Sequence, residues 1–131
     1  MANAEHYALL LKGYREWNQY RLDNPAFIPD LSSAILSGMD LKWYNLDFGN
    51  FNKCVFSKVD LRYASLLDCN LNQANFYRAD LRFAMFRNSN LNQASLVEAD
   101  LSYAAFTNCN VNDADLTNAI INQYTELSGT T

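Results

Sequence analysis

The sequence predicts an all-β solenoid, a four-sided β-helix with an N-terminal α-helical cap, and three observations predict it. From Leu31 to Ile121 every fifth residue is apolar, the nineteen positions holding twelve Leu, five Phe, Val111 and Ile121. With 50% of the chain hydrophobic, chance gives such a run about once in half a million trials, so the repeat is real. Two residues earlier small side chains recur, Ala at 34, 64, 74, 79, 84, 94, 99, 104, 114 and 119 and Cys at 54, 69 and 109. Over this runs a period of twenty, seen in VDLRYASLLDCNLNQANFYR from 59 and ADLRFAMFRNSNLNQASLVE from 79.

A spacing of five fits neither the 3.6-residue turn of a helix nor the two-residue alternation of a strand. If five residues make one side, twenty make one coil, and equivalent positions stack at about 4.8 Å per coil. Every fifth side chain then fills the axis, the small residue two places before it tucks beneath, and the other three positions face solvent.

Ahead of the repeat, Tyr7, Leu10, Leu11, Tyr14 and Trp17 fall at helical spacing, Asn3 can cap the start, and Asn24-Pro25 stops the pattern. This predicts one helix over about 4 to 21, serving to cover an open end whose unpaired strand edges would invite aggregation. Residues 1–30 are therefore the capping helix and lead-in, and 31–121 the solenoid. Glu126 stands in the next fivefold slot, so the repeat is expected to stop at Ile121, with 122–131 a short C-terminal cap in which Tyr124 or Leu127 rests on the last coil.

The motif seen in Ala79-Asp80-Leu81 and Ala99-Asp100-Leu101 resembles the pentapeptide-repeat family, whose members form right-handed quadrilateral β-helices. The stretch LLLKGYREWNQYRLDNPAFIPDLS is similar to the helical lead-in of cyanobacterial members. The resemblance implies the fold but no single function, since members include antibacterial-resistance proteins that bind DNA gyrase and a developmental regulator.

The net charge is −4, from fourteen acids and ten bases read as interspersed, so no basic stripe for nucleic acid stands out. No run approaches the roughly 18 apolar residues of a membrane span, and the first residues lack the basic, apolar and small-residue segments of a signal peptide. The expected location is the cytoplasm. Three cysteines without a CxxC pair fit reduced, buried thiols. Cys69 and Cys109 fall two coils apart, about 9 to 10 Å along the axis, beyond disulfide reach.

Catalytic and cofactor sets are not found. His6 is the single histidine and the four glycines form no phosphate-cradling loop, so neither a zinc site, a catalytic triad nor a nucleotide is expected. Asp40, Asp60, Asp80 and Asp100 make a column moderated by Lys42, Arg62 and Arg82 two places on. Asn50, Asn70, Asn90 and Asn110 make another, with Asn52, Asn72, Asn92 and Asn112 beside it, read as amide ladders from coil to coil.

The column that stands out is Trp43, Tyr63, Phe83 and Tyr103, large aromatics that the register places outside the core. With Lys42, Arg62 and Arg82 they form a candidate protein-binding stripe, or else a ladder of rings that only stabilises the coils. The leading expectation is a non-enzymatic, monomeric scaffold without cofactor or metal that binds an unidentified protein partner. The alternative is a DNA mimic that regulates or protects gyrase. Charge opposes it: residues 39–118 hold nine acids and seven bases, whereas B-DNA carries about one negative charge per 1.7 Å.

Overall fold

The computed structural model describes residues 2–131. Asn3 opens the first helix, its Oδ1 accepting from the N–H groups of Glu5 at 2.9 Å and His6 at 3.2 Å, which satisfies donors that a helix start leaves unpaired. Two helices stand where the spacing predicts one: α1, Ala4–Leu10, and α2, Tyr14–Asp23. Gly13 separates them at φ 106°, a left-handed conformation that glycine adopts without steric cost. The bend splits the predicted stripe, burying Leu10 and Trp17 and leaving Leu11 and Tyr14 exposed.

Both helices are fixed to the first coils by polar groups that meet free backbone. Trp17 Nε1 donates to the Asn45 carbonyl at 2.6 Å, and Arg21 reaches the carbonyls of Asn45 and Asp47 at 3.2 and 2.8 Å. Asn18 donates to the Trp43 carbonyl at 2.8 Å and accepts the Asn45 N–H at 2.7 Å. His6 Nδ1 accepts the Asp30 N–H at 2.9 Å, which gives the single histidine a structural task. Tyr44 occupies a slot held elsewhere by small residues, and its hydroxyl donates to the Leu10 carbonyl at 2.7 Å.

From Asp30 onward the residue before each inward one forms a parallel bridge with its counterpart in the next coil. Four such ladders run along the rod, starting Asp30↔Asn50, Ile35↔Val55, Asp40↔Asp60 and Asn45↔Ser65. A typical side is held by Leu81 N–H to Asp100 O at 2.9 Å and Asp80 N–H to Val59 O at 2.9 Å, and the corner is closed by Ala84 N–H to Leu81 O at 3.1 Å. Backbone pairing is thus made between coils, as in any β-helix. Each corner places the residue two after the inward one at positive φ, from Ser33 at 61° to Asn118 at 57°.

The predicted inward register holds: the fivefold residues from Leu31 to Phe106 are all at most 1% exposed. Rings stack inside as well, Phe56 on Phe76 at 4.8 Å and Phe86 on Phe106 at 4.7 Å. Gly49 shows why the neighbouring slot is small, since a Cβ there would collide with the Phe51 ring. All three cysteines are buried and free. Burial pushes the Cys54 and Cys69 thiols up to about 12 and raises that of Cys109, while Cys69 and Cys109 donate to the carbonyls of Leu46 and Phe86 at 3.1 and 2.6 Å.

At the far end the pairing does not stop at Ile121. Ala105 bridges Glu126, a step of twenty-one rather than twenty, because the last coil carries one extra residue. Asn122 absorbs it: its Oδ1 accepts the Tyr103 N–H at 3.1 Å, the place held by a backbone carbonyl on the coils before. Thr125 then links Asn122 to the Leu101 carbonyl at 2.8 Å. Glu126 is therefore a bridge residue, and Leu127 takes the inward slot.

Phe86, fully buried with ring partners on both Phe76 and Phe106, tests this core. Phe86→Ala is expected to cost about 3–5 kcal/mol in urea unfolding, and a loss below the error of that measurement would contradict the register. The native chain is expected to react slowly with a thiol reagent at neutral pH, and to yield all three thiols once unfolded in guanidinium; rapid native labelling would contradict the burial.

Candidate functional site: a stacked aromatic column

The third ladder explains why aromatics gather at one corner. Its bridge residues Asp40, Asp60, Asp80 and Asp100 each accept, through Oδ1, the N–H two residues on, at 3.1, 3.1, 3.3 and 3.0 Å. Aspartate and asparagine suit this place because a short side chain can close such a turn on its own backbone. The next residue enters the left-handed region, with φ 72° at Trp43, 62° at Tyr63, 64° at Phe83 and 64° at Tyr103. Its side chain leaves the corner outward, and the twenty-residue repeat sets the four rings one above another.

The rings lie face to face. Centroids are 4.4 Å apart for Trp43 and Tyr63, 4.9 Å for Tyr63 and Phe83, and 4.6 Å for Phe83 and Tyr103, with planes within 9° of parallel. A fifth ring continues the column, Tyr124 on Tyr103 at 5.3 Å and 7°. Spacing alone hid it, because the extra residue near Asn122 moves the tyrosine from position 123 to 124; a tyrosine one place late is the available signal. At this corner the coil-to-coil bonds are long, 3.3 Å at Trp43, 3.4 Å at Tyr63 and 3.3 Å at Phe83, against 2.8 and 2.9 Å at Lys58 and Gln73. The stack and the backbone spacing are in mild competition there. Each ring keeps one edge in solvent: the first four residues are 41 to 49% exposed and Tyr124 is 58% exposed.

Lys42, Arg62 and Arg82 flank the column, yet their charges are turned sideways. Arg62 grips Asp60 in two-pronged fashion at 3.0 and 2.8 Å, and Arg82 grips Asp80 at 2.8 and 2.7 Å. Each also reaches the acid of the next coil, Arg62 to Asp80 at 3.5 Å and Arg82 to Asp100 at 3.9 Å, while Lys42 lies 3.6 Å from Asp40 and 3.7 Å from Asp60. The result is an alternating zip of acids and bases. Among the described residues the cation-over-ring contacts fall elsewhere, at Arg15 on Tyr14, Arg21 on Phe27 and Arg78 on Tyr77. The site is thus an apolar strip of stacked rings beside a neutralised ionic rail.

The two asparagine columns divide their work. Asn50, Asn70, Asn90 and Asn110 close turns on the N–H groups of Asn52, Asn72, Asn92 and Asn112. The second set makes a partial amide ladder, Asn72 donating to Asn52 and Asn92 to Asn72, both at 3.2 Å. These aspartate and asparagine side chains are therefore engaged in the fold.

Arg62 hydrogen-bonding lowers the Asp60 carboxyl below its ordinary 3.8, against a smaller burial effect that raises it. A carboxyl lowered by folding stabilises the fold above its unfolded pKa, and that contribution is lost as the pH falls through the folded value. The melting temperature is accordingly expected to fall as the pH drops below about 4. Arg62→Gln should flatten that acid limb, and an unchanged limb would show that the rail adds nothing.

Comparisons with known proteins agree with this geometry. A family model described as pentapeptide repeat region matches residues 67–128, and one described as pentapeptide repeats (8 copies) matches residues 41–76. A search of curated proteins gave no match. Among solved structures the chain is similar to HetL, a pentapeptide repeat protein involved in heterocyst differentiation regulation from the cyanobacterium Nostoc sp. strain PCC 7120, with 30% identity and a TM-score of 0.75 over 78% of this chain and 48% of HetL. It is also similar to QnrB1, a plasmid-mediated fluoroquinolone resistance protein, with 21% identity and a TM-score of 0.59 over 73% of this chain and 56% of that one, a likeness of fold. The chain thus spans about half the length of these two proteins. Its fivefold core, coil-to-coil ladders and matched repeats agree: the chain belongs to the pentapeptide-repeat family.

Proposed function

We propose that this protein is a non-enzymatic, rigid interaction scaffold, a right-handed quadrilateral rod capped by α1 and α2, whose recognition face is the column Trp43, Tyr63, Phe83, Tyr103 and Tyr124. The observation that carries the reading is the stack itself. Five rings are held at fixed spacing with their edges in solvent, and exposed aromatics already fixed in place bind with little loss of side-chain freedom. The flanking Lys42, Arg62 and Arg82 act here as a rail that holds the corner, offering hydrogen bonds at the rim more than free charge. The partner is a protein with an apolar ridge that lies along the rings.

Several further observations support the reading. HetL, the more similar of the two compared structures, is described as involved in differentiation regulation. No helix among the described residues is long and apolar enough to cross a membrane, and the free buried thiols fit work in the cytoplasm. A gyrase-directed DNA mimic would present an unbroken acidic surface, and the bases paired along the Asp60 and Asp80 rail do not form one.

The test is capture from a cyanobacterial lysate by the wild type and by a Tyr63→Ser, Phe83→Ser variant of equal fold and solubility. A protein retained by the wild type, lost by the variant, and shown to bind the purified chain directly is the expected result. Retention by both would place the partner elsewhere and reduce the column to a stabilising ladder.

A further inference from the structure

Within the aromatic column each inner ring has a neighbour on both faces, but Trp43 has one on a single face. Tyr63 lies against the indole at 4.4 Å and 6°; among the described residues no ring lies on the other side, and Trp43 is the most exposed of the first four at 49%. The space there is bounded by the lead-in. Gly13 and Tyr14, at the turn from α1 to α2, join Asp40, Lys42, Trp43 and Tyr44 of the first coil in lining a cleft of about 270 Å³. That lies below the roughly 300–1,000 Å³ of sites for drug-sized ligands and suits a single side chain.

The backbone beside this ring already has its partners. Asn18 donates to the Trp43 carbonyl at 2.8 Å and accepts the Asn45 N–H at 2.7 Å, so what stays open at the corner is the slot of one more ring. Gly13 keeps that slot clear, since it turns at φ 106° and even a Cβ there would meet nothing within 4 Å. Tyr44 makes a fixed wall, its hydroxyl held by the Leu10 carbonyl at 2.7 Å. The rim is polar. Asp40 keeps 68% of its side chain in solvent, against 26% for Asp60 and 30% for Asp80. Its Oδ1 closes the turn on the Lys42 N–H. Its Oδ2 meets the Lys42 ammonium at 3.6 Å, without the two-pronged grip that Arg62 and Arg82 exert on the acids below, and so retains capacity to accept a hydrogen bond.

We propose that this cleft takes one aromatic side chain of the partner protein, a tryptophan or a tyrosine, as the next ring of the column. The ring lies on the free face of Trp43, and its indole N–H or phenol O–H donates to Asp40 Oδ2. Stacking supplies the attraction, and the carboxylate chooses among rings, because phenylalanine brings no donor to it. The column itself supplies the precedent: Tyr124 joins it from outside the regular spacing and still stacks on Tyr103 at 5.3 Å and 7°. The inference rests on the column being the recognition face and names the partner residue that anchors there.

The probes are blocked Gly-Trp-Gly, Gly-Tyr-Gly, Gly-Phe-Gly and Gly-Leu-Gly peptides, added to the nitrogen-labelled chain and followed by NMR. The tryptophan and tyrosine peptides are expected to bind saturably in the millimolar range. They should shift the Gly13 amide and the Trp43 indole N–H, but not the indole N–H of Trp17, which the Asn45 carbonyl holds. The phenylalanine peptide should bind about threefold more weakly or worse, and the leucine peptide should not bind. Trp43→Ser, a residue that Ser33 shows the corner position accepts, should abolish binding. Asp40→Asn keeps an oxygen to close the turn, as Asn50 does on its own ladder, and should weaken the tryptophan and tyrosine peptides by about threefold or more. Phe83→Ser with Tyr103→Ser leaves the Trp43 and Tyr63 pair in place and should change nothing. Leucine binding equal to tryptophan, or tryptophan binding that survives Trp43→Ser or is unaltered by Asp40→Asn, would overturn the proposal. If no peptide binds while capture from lysate still depends on Tyr63 and Phe83, the cleft is overturned and the reading of the column stands.

Discussion

A chain that turns a corner every five residues has no room to pair its backbone with its own near neighbours. Apart from the corner bond and the N–H groups that Asp and Asn side chains take up two residues on, backbone groups find their partners one coil above or below, as Leu81 does with Asp100 and Asp80 with Val59. Everything else in this protein follows from that constraint. The coil-to-coil spacing is set by hydrogen bonds, so side chains at equivalent positions are forced into register and must be tolerable as stacks. Apolar residues stack as a core, amides as ladders, rings as columns, and acids only with bases between them. The corners themselves are costly: seventeen residues other than glycine sit at positive φ, a region disfavoured by about 1–2 kcal/mol for L-residues in regular left-handed backbone. The corner persists because a bridge-position Asp or Asn closes it from one side and a buried Leu or Phe anchors it from the other.

This explains which parts of the fold were legible. The inward residue has one demand, to fill the axis, so its fivefold spacing is nearly invariant and plain to read. The left-handed corner residue has almost none beyond solvent exposure, and Trp43, Lys53, Gln73 and Glu98 all occupy it; no turn signature survives there. The ends were less legible for a different reason. One residue inserted at the last coil shifts every later position, and whether the chain resumes pairing depends on whether some group replaces the missing carbonyl. Asn122 does so through its side chain. Likewise the helical stripe of the lead-in ran through Gly13, where helical spacing and the backbone break coincide and only the three-dimensional path separates them.

The site divides along the same line. The column from Trp43 to Tyr103 was visible because stacking is a property of the register, whereas Tyr124 lies beyond the insertion and Tyr44 sits in an inward slot that reaches toward the helices. The bases beside the column flank the rings and, as their spacing from the aspartates implies, pair with those aspartates. In the register of two residues they belong to the aspartates before them, and the short reach from Arg62 to Asp60 outweighs any attraction to a ring face, as ionised two-pronged hydrogen bonds do. Neighbours in sequence are therefore poor guides to partnership in a solenoid. Position within the five-residue unit is the better one.

The ladder rule also gives the rod a direction. At its first edge the free groups include the carbonyls of Asn45 and Asp47, which the donors on Trp17 and Arg21 satisfy. The same edge presents donors as well, and Nδ1 of His6 and Oδ1 of Asn18 accept the N–H groups of Asp30 and Asn45. What the side chains add is pairing from coil to coil: with no base after Arg87, the later acids Glu98, Asp100 and Glu126 meet Arg78, Arg82 and Arg87 of the coils before them. A solenoid built in this way holds its rings, ladders and ion pairs at one fixed spacing, without moving any part of itself.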